Sequence, residues 1–446
     1  MKIRDVEGSP LLIGRRSGAV KSRRPIGFLP QQEAFIADAG QEEWVTYAGA
    51  SHCLTIGTTG SGKTAQAISN MLVYRGSAIV FDSKGDIYEA TARRRREMGQ
   101  EVHTIDLRDA KRSGKGSLNP FDLALRCGTE KSVIARSLAG QLIARTGSER
   151  ENFWADYAET CIAGAIGYAL VQRSRSKRNL GTVYDLLHDS DSSCRFALIL
   201  EDKSLKLSRA SRAALIGLLD LPSENTRPSV VGTAQAALRL WDCDLVRKLT
   251  ATTSFDLDAL INASDDRPLT LYIIVPSYRE AYRPLLRLWF DGLLSALMQR
   301  EHLPQFRTLI LSDETASFGK IQSFLTAATQ ARSFGIQLWT HFQNASQLQI
   351  YGADGAHTLV DNAGVLQLLG APNRRVAQEF AALVGGIDAD EIQSMGPLEQ
   401  VVFMDGKLHR LRRIRYFEEA RFAGHYDPVK GPAEPRQDRP GADDHG

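Results

Sequence analysis

Eight consecutive residues, Gly57-Thr58-Thr59-Gly60-Ser61-Gly62-Lys63-Thr64, match the Walker A spacing of glycines, lysine and hydroxyl. The phosphates of a nucleoside triphosphate need several N–H donors converging on one place. Glycine lets successive amides turn toward that place without Cβ clashes, and Gly57, Gly60 and Gly62 supply this freedom. Lys63 brings a point charge to the terminal phosphates, Thr64 a hydroxyl for Mg²⁺, and a helix opening there adds its partial positive end.

Holding ATP is half of the chemistry. Hydrolysis also needs an acidic group for the metal and another to orient the attacking water. The run Leu309-Ile310-Leu311-Ser312-Asp313-Glu314 ends an apolar strand on two carboxylates, of which Asp313 fits the Walker B metal ligand and Glu314 the water-activating base. Standing alone, such a pair is more often a solvated helix cap; beside a glycine loop it reads as catalytic. Arg332 and Gln343 follow at spacings that suit, respectively, an arginine offsetting transition-state charge from a neighbouring subunit and a strand-end sensor of the γ-phosphate. Surface or capping roles are the plainer reading of each. Asp82-Ser83-Lys84-Gly85-Asp86 lies after a strand, at the edge where open α/β sheets bind ligands. The nine histidines show no metal-ligand spacing, and no structural metal is expected.

These residues need strands and helices to position them. Residues 53–56 alternate as a short strand running into the glycine loop, residues 65–74 carry helical spacing, and residues 77–81 form the next strand, which makes one βαβ unit. Further strands are predicted at 101–106, 269–275, 308–311, 336–340 and 365–369, and a hairpin at 401–409 with Asp405-Gly406 as its turn. From about residue 123 to 248 the pattern is helical. The expectation is an α/β P-loop NTPase with a mainly parallel sheet and an inserted all-α domain. Its segments are 1–45, a basic lead-in; 46–122, the first part of the nucleotide-binding domain; 123–250, the helical insertion; 251–426, the second part; and 427–446, a disordered tail rich in Pro, Gly and charge.

Composition narrows the class. The 446 residues are 43% hydrophobic and 24% charged, which suits a packed globular chain, and the net charge of +3 excludes a polybasic nucleic-acid binder, so DNA contact must rest on local patches. Arg15-Arg16, Lys21 to Arg24, Arg93 to Arg96 and Arg173 to Arg178 are the candidates. Five cysteines far apart in sequence fit buried thiols in a reducing cytoplasmic compartment. The apolar run at 161–171 is shorter than a bilayer crossing requires.

Taken together, the motifs resemble the type IV secretion system coupling proteins of the TraG/TraD class, the conjugative DNA-transfer ATPases. The resemblance rests on Gly57 to Thr64, Phe81 to Asp86, Leu118-Asn119-Pro120-Phe121, Phe153-Trp154-Ala155-Asp156, Arg283-Pro284-Leu285-Leu286-Arg287, Asp313-Glu314, Gln343, and Thr358 to Gly364. It implies a RecA-like motor domain in a homo-hexameric ring around a channel, with ATP and Mg²⁺ as cofactors. The implied partners are DNA, as a single strand carrying its relaxase, and secretion-channel components. It also implies an arginine finger near Arg332 and a sensor near Gln343. Members of the class usually begin with transmembrane helices, whereas some fifty residues precede the loop here, so a naturally soluble relative, a truncated copy and a chain docked on a separate membrane partner all stay open. The location expected is cytoplasmic, or peripheral at the inner face of the membrane. Two other classes remain: a double-stranded DNA translocase of the FtsK/HerA kind, and a nucleotide-binding adaptor with little turnover. Intact Lys63 and Glu314 speak against the adaptor, and the helical insertion against the translocase.

Overall fold

The computed structural model describes residues 9–16, 43–108, 116–143, 149–222, 224–262, 267–276 and 280–429. The basic cluster at 21–24, most of the expected lead-in and residues 430–446 of the expected tail lie outside the described residues.

Eleven strands form one sheet: β1 (Leu11–Arg15), β2 (Trp44–Tyr47), β3 (His52–Ile56), β4 (Ala78–Asp82), β5 (Glu101–Asp106), β6 (Leu269–Ile274), β7 (Thr308–Ser312), β8 (Ile336–Phe342), β9 (Ala363–Leu368), β10 (Glu399–Met404) and β11 (Lys407–Arg412). Their order is β2-β1-β11-β10-β9-β3-β8-β7-β4-β6-β5. From β9 to β5 every neighbouring pair is parallel, and from β10 to β2 every pair is antiparallel. The β3, β4, β6, β7 and β8 sequences are buried along their whole length, because a parallel strand with helices on both faces has no solvent side. Asp405, at φ 52°, and Gly406, at φ 74°, close the β10–β11 hairpin in the left-handed conformations that a two-residue turn requires.

Alternation along β4 sends its side chains to two cores. Ala78 and Val80 pack with Ala67, Ile68 and Met71 of helix α1 (Lys63–Met71) and with Ile87 and Ala90 of helix α2 (Asp86–Glu97). Ile79 and Phe81 face the other way, into a core shared with Trp289 and Phe290 of helix Arg283–Leu297 and with the helical stretch between β5 and β6. The described residues of that stretch form helices only, with Glu149–Leu170 as its longest member. Its core is continuous with that of the sheet. Asn119 joins entry and exit: it caps helix Pro120–Arg126 through the Phe121 amide (3.0 Å) and donates to Arg178 O (2.7 Å) and Ala251 O (3.2 Å).

The β1 strand was not foreseen, since the sequence placed it inside the lead-in. The strand is only five residues long, with Leu11, Leu12 and Ile13 its apolar part, and its main partner begins at Trp44, so no local pattern marks it. Buried amides fix it onto α1: Asn70 Oδ1 accepts from Leu12 N (2.7 Å), while Gln66 Nε2 (2.6 Å) and Asn70 Nδ2 (2.9 Å) donate to Leu12 O. At the other end, Asp427 was expected to begin the tail, yet its amide donates to Ala90 O (3.1 Å) and its carboxylate pairs with Arg93 (2.8 Å).

Candidate functional site

The glycine loop leaves β3, which lies inside the sheet between β9 and β8, so its base cannot drift. Gly57 N donates to Phe342 O (2.9 Å), tying the loop to the end of β8, and Ser61 N donates to Thr58 O (3.1 Å) to close the turn. Gly60 and Gly62 sit at φ 79° and 96°, where an L side chain is strained whatever the space around it. At Gly57 the demand is steric, because a Cβ there would run into Ser61 Oγ. Gly62 is also the residue before α1, and no side chain caps that helix, which leaves its first amides available to an anion. Lys63 folds back over the loop and donates to Gly57 O and to Thr58 O (3.1 Å). Burial lowers its pKa, and the nearby Asp313 and Glu314 oppose that shift.

Asp313 is the hub of the opposite wall. It follows β7 and is 6% exposed, and its Oδ1 accepts from the Thr64 hydroxyl at 3.1 Å. Ser83 Oγ approaches Oδ2 at 3.4 Å, and His341 Nδ1 lies 3.4 Å from Oδ1. Burial alone would raise this carboxyl, but the His341 ring, the Thr64 hydroxyl and the Lys63 charge outweigh it and hold Asp313 below the ordinary carboxylate value. Glu314 is half-buried, and Gln343 Nε2 donates to both of its oxygens at 3.0 Å. Parallel pairing of β7 with β8 brings these two strand ends together.

Asp82 carries a different duty. It is 1% exposed and accepts from the amides of Gly85 (2.7 Å), Lys84 (3.2 Å) and Tyr88 (2.9 Å), which shapes the turn that starts α2 and presents Ser83 and Lys84 to the loop. Burial, joined by the charge of Asp313, pushes its carboxyl up to about 7.

A cavity of about 370 Å³ is lined by residues 58–60 and 62–65 of the loop and α1, by Ser83, Lys84, Asp313 and Glu314, and by Arg415 and Phe417. Its donor set suits Mg²⁺, which prefers one or two protein oxygens plus phosphate oxygens to a full protein cage. Thr64 and Asp313 offer such oxygens side by side, and the described residues hold no cluster of three or more His, Cys, Asp or Glu that could bind a metal without phosphate.

All eight loop residues, Asp313, Glu314 and Gln343 thus meet at one edge of the sheet. Arg332 does not join them. It lies in the turn before β8 and donates to Ser51 Oγ (3.4 Å), beside the residue that starts β3, whereas the glycine loop follows the end of that strand. The length of β3 separates Arg332 from its own loop. His341 escaped sequence reasoning: it is fully buried near the end of β8 and meets Asp313 only across the β7–β8 pair. Arg413 also escaped: its Nη1 donates to Ser61 O (2.8 Å) and its Nε to Glu399 O (2.7 Å).

Two basic clusters have structural work of their own. Arg95 is fully buried and donates to Gly76 O (2.8 Å), Tyr74 O and Thr270 Oγ1 (2.9 Å), and Arg93 pairs with Asp427 and Glu97. Arg15 pairs with Glu419 and Arg16 with Glu43. Arg173, Arg175 and Lys177 are exposed.

Residues 20–389 match the family described as type IV secretory system conjugative DNA transfer. Protein VirD4 of Rhizobium rhizogenes is 26% identical over 321 residues, covering 70% of this chain and 46% of the relative. A conjugal transfer protein TraG of Escherichia coli is 24% identical over 369 residues, covering 78% and 57%. The chain therefore spans about half the length of the curated relatives it matches. Among solved structures, the plasmid coupling protein TrwB in complex with the non-hydrolysable ATP analogue ADPNP superimposes with a TM-score of 0.62 at 17% identity, covering 82% of this chain and 86% of that one. TrwB in complex with ADP and Mg²⁺ gives 0.60 at 18% identity, covering 82% and 85%. The fold is that of a RecA-like P-loop NTPase, as the resemblance implied.

Proposed function

The chain belongs to the type IV secretory system conjugative DNA transfer family, and from that premise we propose that it is an ATP-hydrolysing motor that passes DNA toward a type IV secretion channel. The observation that carries this reading is the meeting of Thr64, Asp313, Glu314 and Gln343 beside an intact glycine loop. In it, the loop amides and Lys63 hold the phosphates of ATP, and Lys63 leaves the carbonyls of Gly57 and Thr58 to do so. Thr64 and Asp313 hold Mg²⁺, which neutralises phosphate charge when bound. Glu314 orients the attacking water, and Gln343, bonded to both Glu314 oxygens, couples that carboxylate to the state of the γ-phosphate. TrwB, which shares the fold, binds ADPNP, and binds ADP together with Mg²⁺, and this supports the same ligands here.

Arg332 sits at the opposite end of β3 from its own loop, which supports a ring in which it completes the site of the next subunit; in this class that ring is a homo-hexamer. The helical stretch between β5 and β6 acts as an inserted domain on that ring. The DNA is a single strand with its relaxase, and the exposed Arg173, Arg175 and Lys177 are the described cluster best placed to follow its phosphates. The test is steady-state ATP hydrolysis with single-stranded DNA, with duplex DNA and without DNA, combined with co-isolation of a relaxase. Stimulation by the single strand and recovery of relaxase are expected; stimulation by duplex alone would move the assignment to a double-stranded DNA translocase.

A further inference from the structure

Beyond β11 the chain runs past the glycine loop and then turns, with Glu418 N donating to Arg415 O (2.9 Å). Ile414 and Tyr416 are 1% and 9% exposed and belong to the core that contains α1 and α2. Arg413 and Arg415 flank Ile414, and Phe417 lies in the turn. Arg413 reaches the loop itself at Ser61 O, and Arg415 and Phe417 line the cavity that the loop shares with Lys63, Asp313 and Glu314. Phe417 is 53% exposed, a large apolar ring left in solvent next to the buried Tyr416. The Arg415 guanidinium lies 5.9 Å from the centre of that ring and pairs with Glu418 at 2.7 Å, so the ring and the cation form one rim.

A triphosphate anchored on the loop must project its nucleoside toward whatever wall of the cavity lies beyond the phosphates. Ser83, Lys84, Asp313 and Glu314 form the polar wall, where metal and terminal phosphate belong. The remaining side of the cavity lining offers one aromatic face and one guanidinium. A π face stacks on any base, and a guanidinium beside it adds a donor and a cation for the ribose and the nearest phosphate. Neither group reads the hydrogen-bonding edge of a base.

We propose that Phe417 is the stacking platform for the nucleobase and that Arg415 steadies the ribose and adjacent phosphate, so that nucleotides are held by base stacking with little preference among purines. This deepens the ATPase reading and rests on it. The experiment titrates Mg²⁺-ATP, Mg²⁺-GTP and Mg²⁺-tripolyphosphate, which has no base, onto the full chain and its Phe417→Ala and Phe417→Trp variants by calorimetry. Phe417→Ala is expected to weaken ATP and GTP alike by about tenfold, within the range that stacking of one base contributes. Tripolyphosphate affinity should be unchanged, and Phe417→Trp should restore the nucleotides. Equal losses for tripolyphosphate, or undiminished ATP affinity in Phe417→Ala, would overturn the platform while leaving the phosphate site standing. A wild-type chain that binds neither ATP nor tripolyphosphate would overturn the site reading itself and the platform with it.

Discussion

Replacing Gly370 by alanine should loosen the glycine loop from a distance. Gly370 follows β9 at φ 80°, and a Cβ there would lie 2.5 Å from Arg413 Nη2. The methyl group therefore has two effects. Left-handed backbone costs an L residue about 1 kcal/mol, and displacing the guanidinium breaks its bond to Ser61 O, about 2 kcal/mol for a hydrogen bond to a charged group. The single variant should lose about 3 kcal/mol, and Arg413→Ala, which loses the bonds to both Ser61 O and Glu399 O, about 4 kcal/mol. With the arginine gone the methyl group has nothing to displace, so the double variant should cost about 5 kcal/mol rather than the additive sum of about 7, a coupling of about 2 kcal/mol. Equilibrium urea unfolding of the four proteins measures the cycle. Additivity within about 0.5 kcal/mol would refute the mechanical link between the β9–β11 edge and the loop.

Three further outcomes follow from the same geometry. Thr64→Val keeps the shape but removes the hydroxyl that meets Asp313, so Mg²⁺ should no longer strengthen nucleotide binding; titrations with and without EDTA would then coincide. Burial pushes Asp291 up to about 6, with Ser323 and Arg287 acting in the opposite direction. Its folded value lies above the ordinary one of about 4, so stability present below pH 4 is lost as pH rises through 6, by about 3 kcal/mol in all. Asp291→Asn should therefore be more stable than wild type at pH 8 and not at pH 4 by urea unfolding; equal effects at both pH values would contradict the assignment. Finally, Arg332→Ala and Glu314→Gln subunits, each inactive alone, should recover part of the ATP turnover when mixed, since a neighbour completes the site; no recovery would argue that Arg332 acts elsewhere.

Much of the site was legible because its chemistry is local in sequence. The eight loop residues are contiguous, and Asp313 and Glu314 end an apolar strand, so type and spacing alone placed them. Gln343 was reachable because parallel strands align their carboxyl ends. His341 and Arg413 were not, because each matters only through a neighbour in another strand: β8 beside β7, and the segment after β11 beside the loop. The fold divided in the same way. The parallel strands are apolar runs readable one at a time, whereas β1 is held by Gln66 and Asn70 and pairs with residues far along the chain. Arg95 shows the converse error. A run of arginines looks like a solvated or DNA-facing helix face until the tertiary structure seats one of them under carbonyls of the turn after α1.

The central claim, that these groups form a hydrolytic site, is tested most directly by measuring ATP binding and ATP turnover on the same samples of wild type and Glu314→Gln. The variant keeps the shape of the carboxylate and every phosphate and metal contact, so it should bind Mg²⁺-ATP as tightly as wild type while turnover falls by about 100-fold or more, the scale of a lost general base. Turnover undiminished in the variant, or a wild type that binds ATP and never hydrolyses it with single-stranded DNA present, would contradict the account.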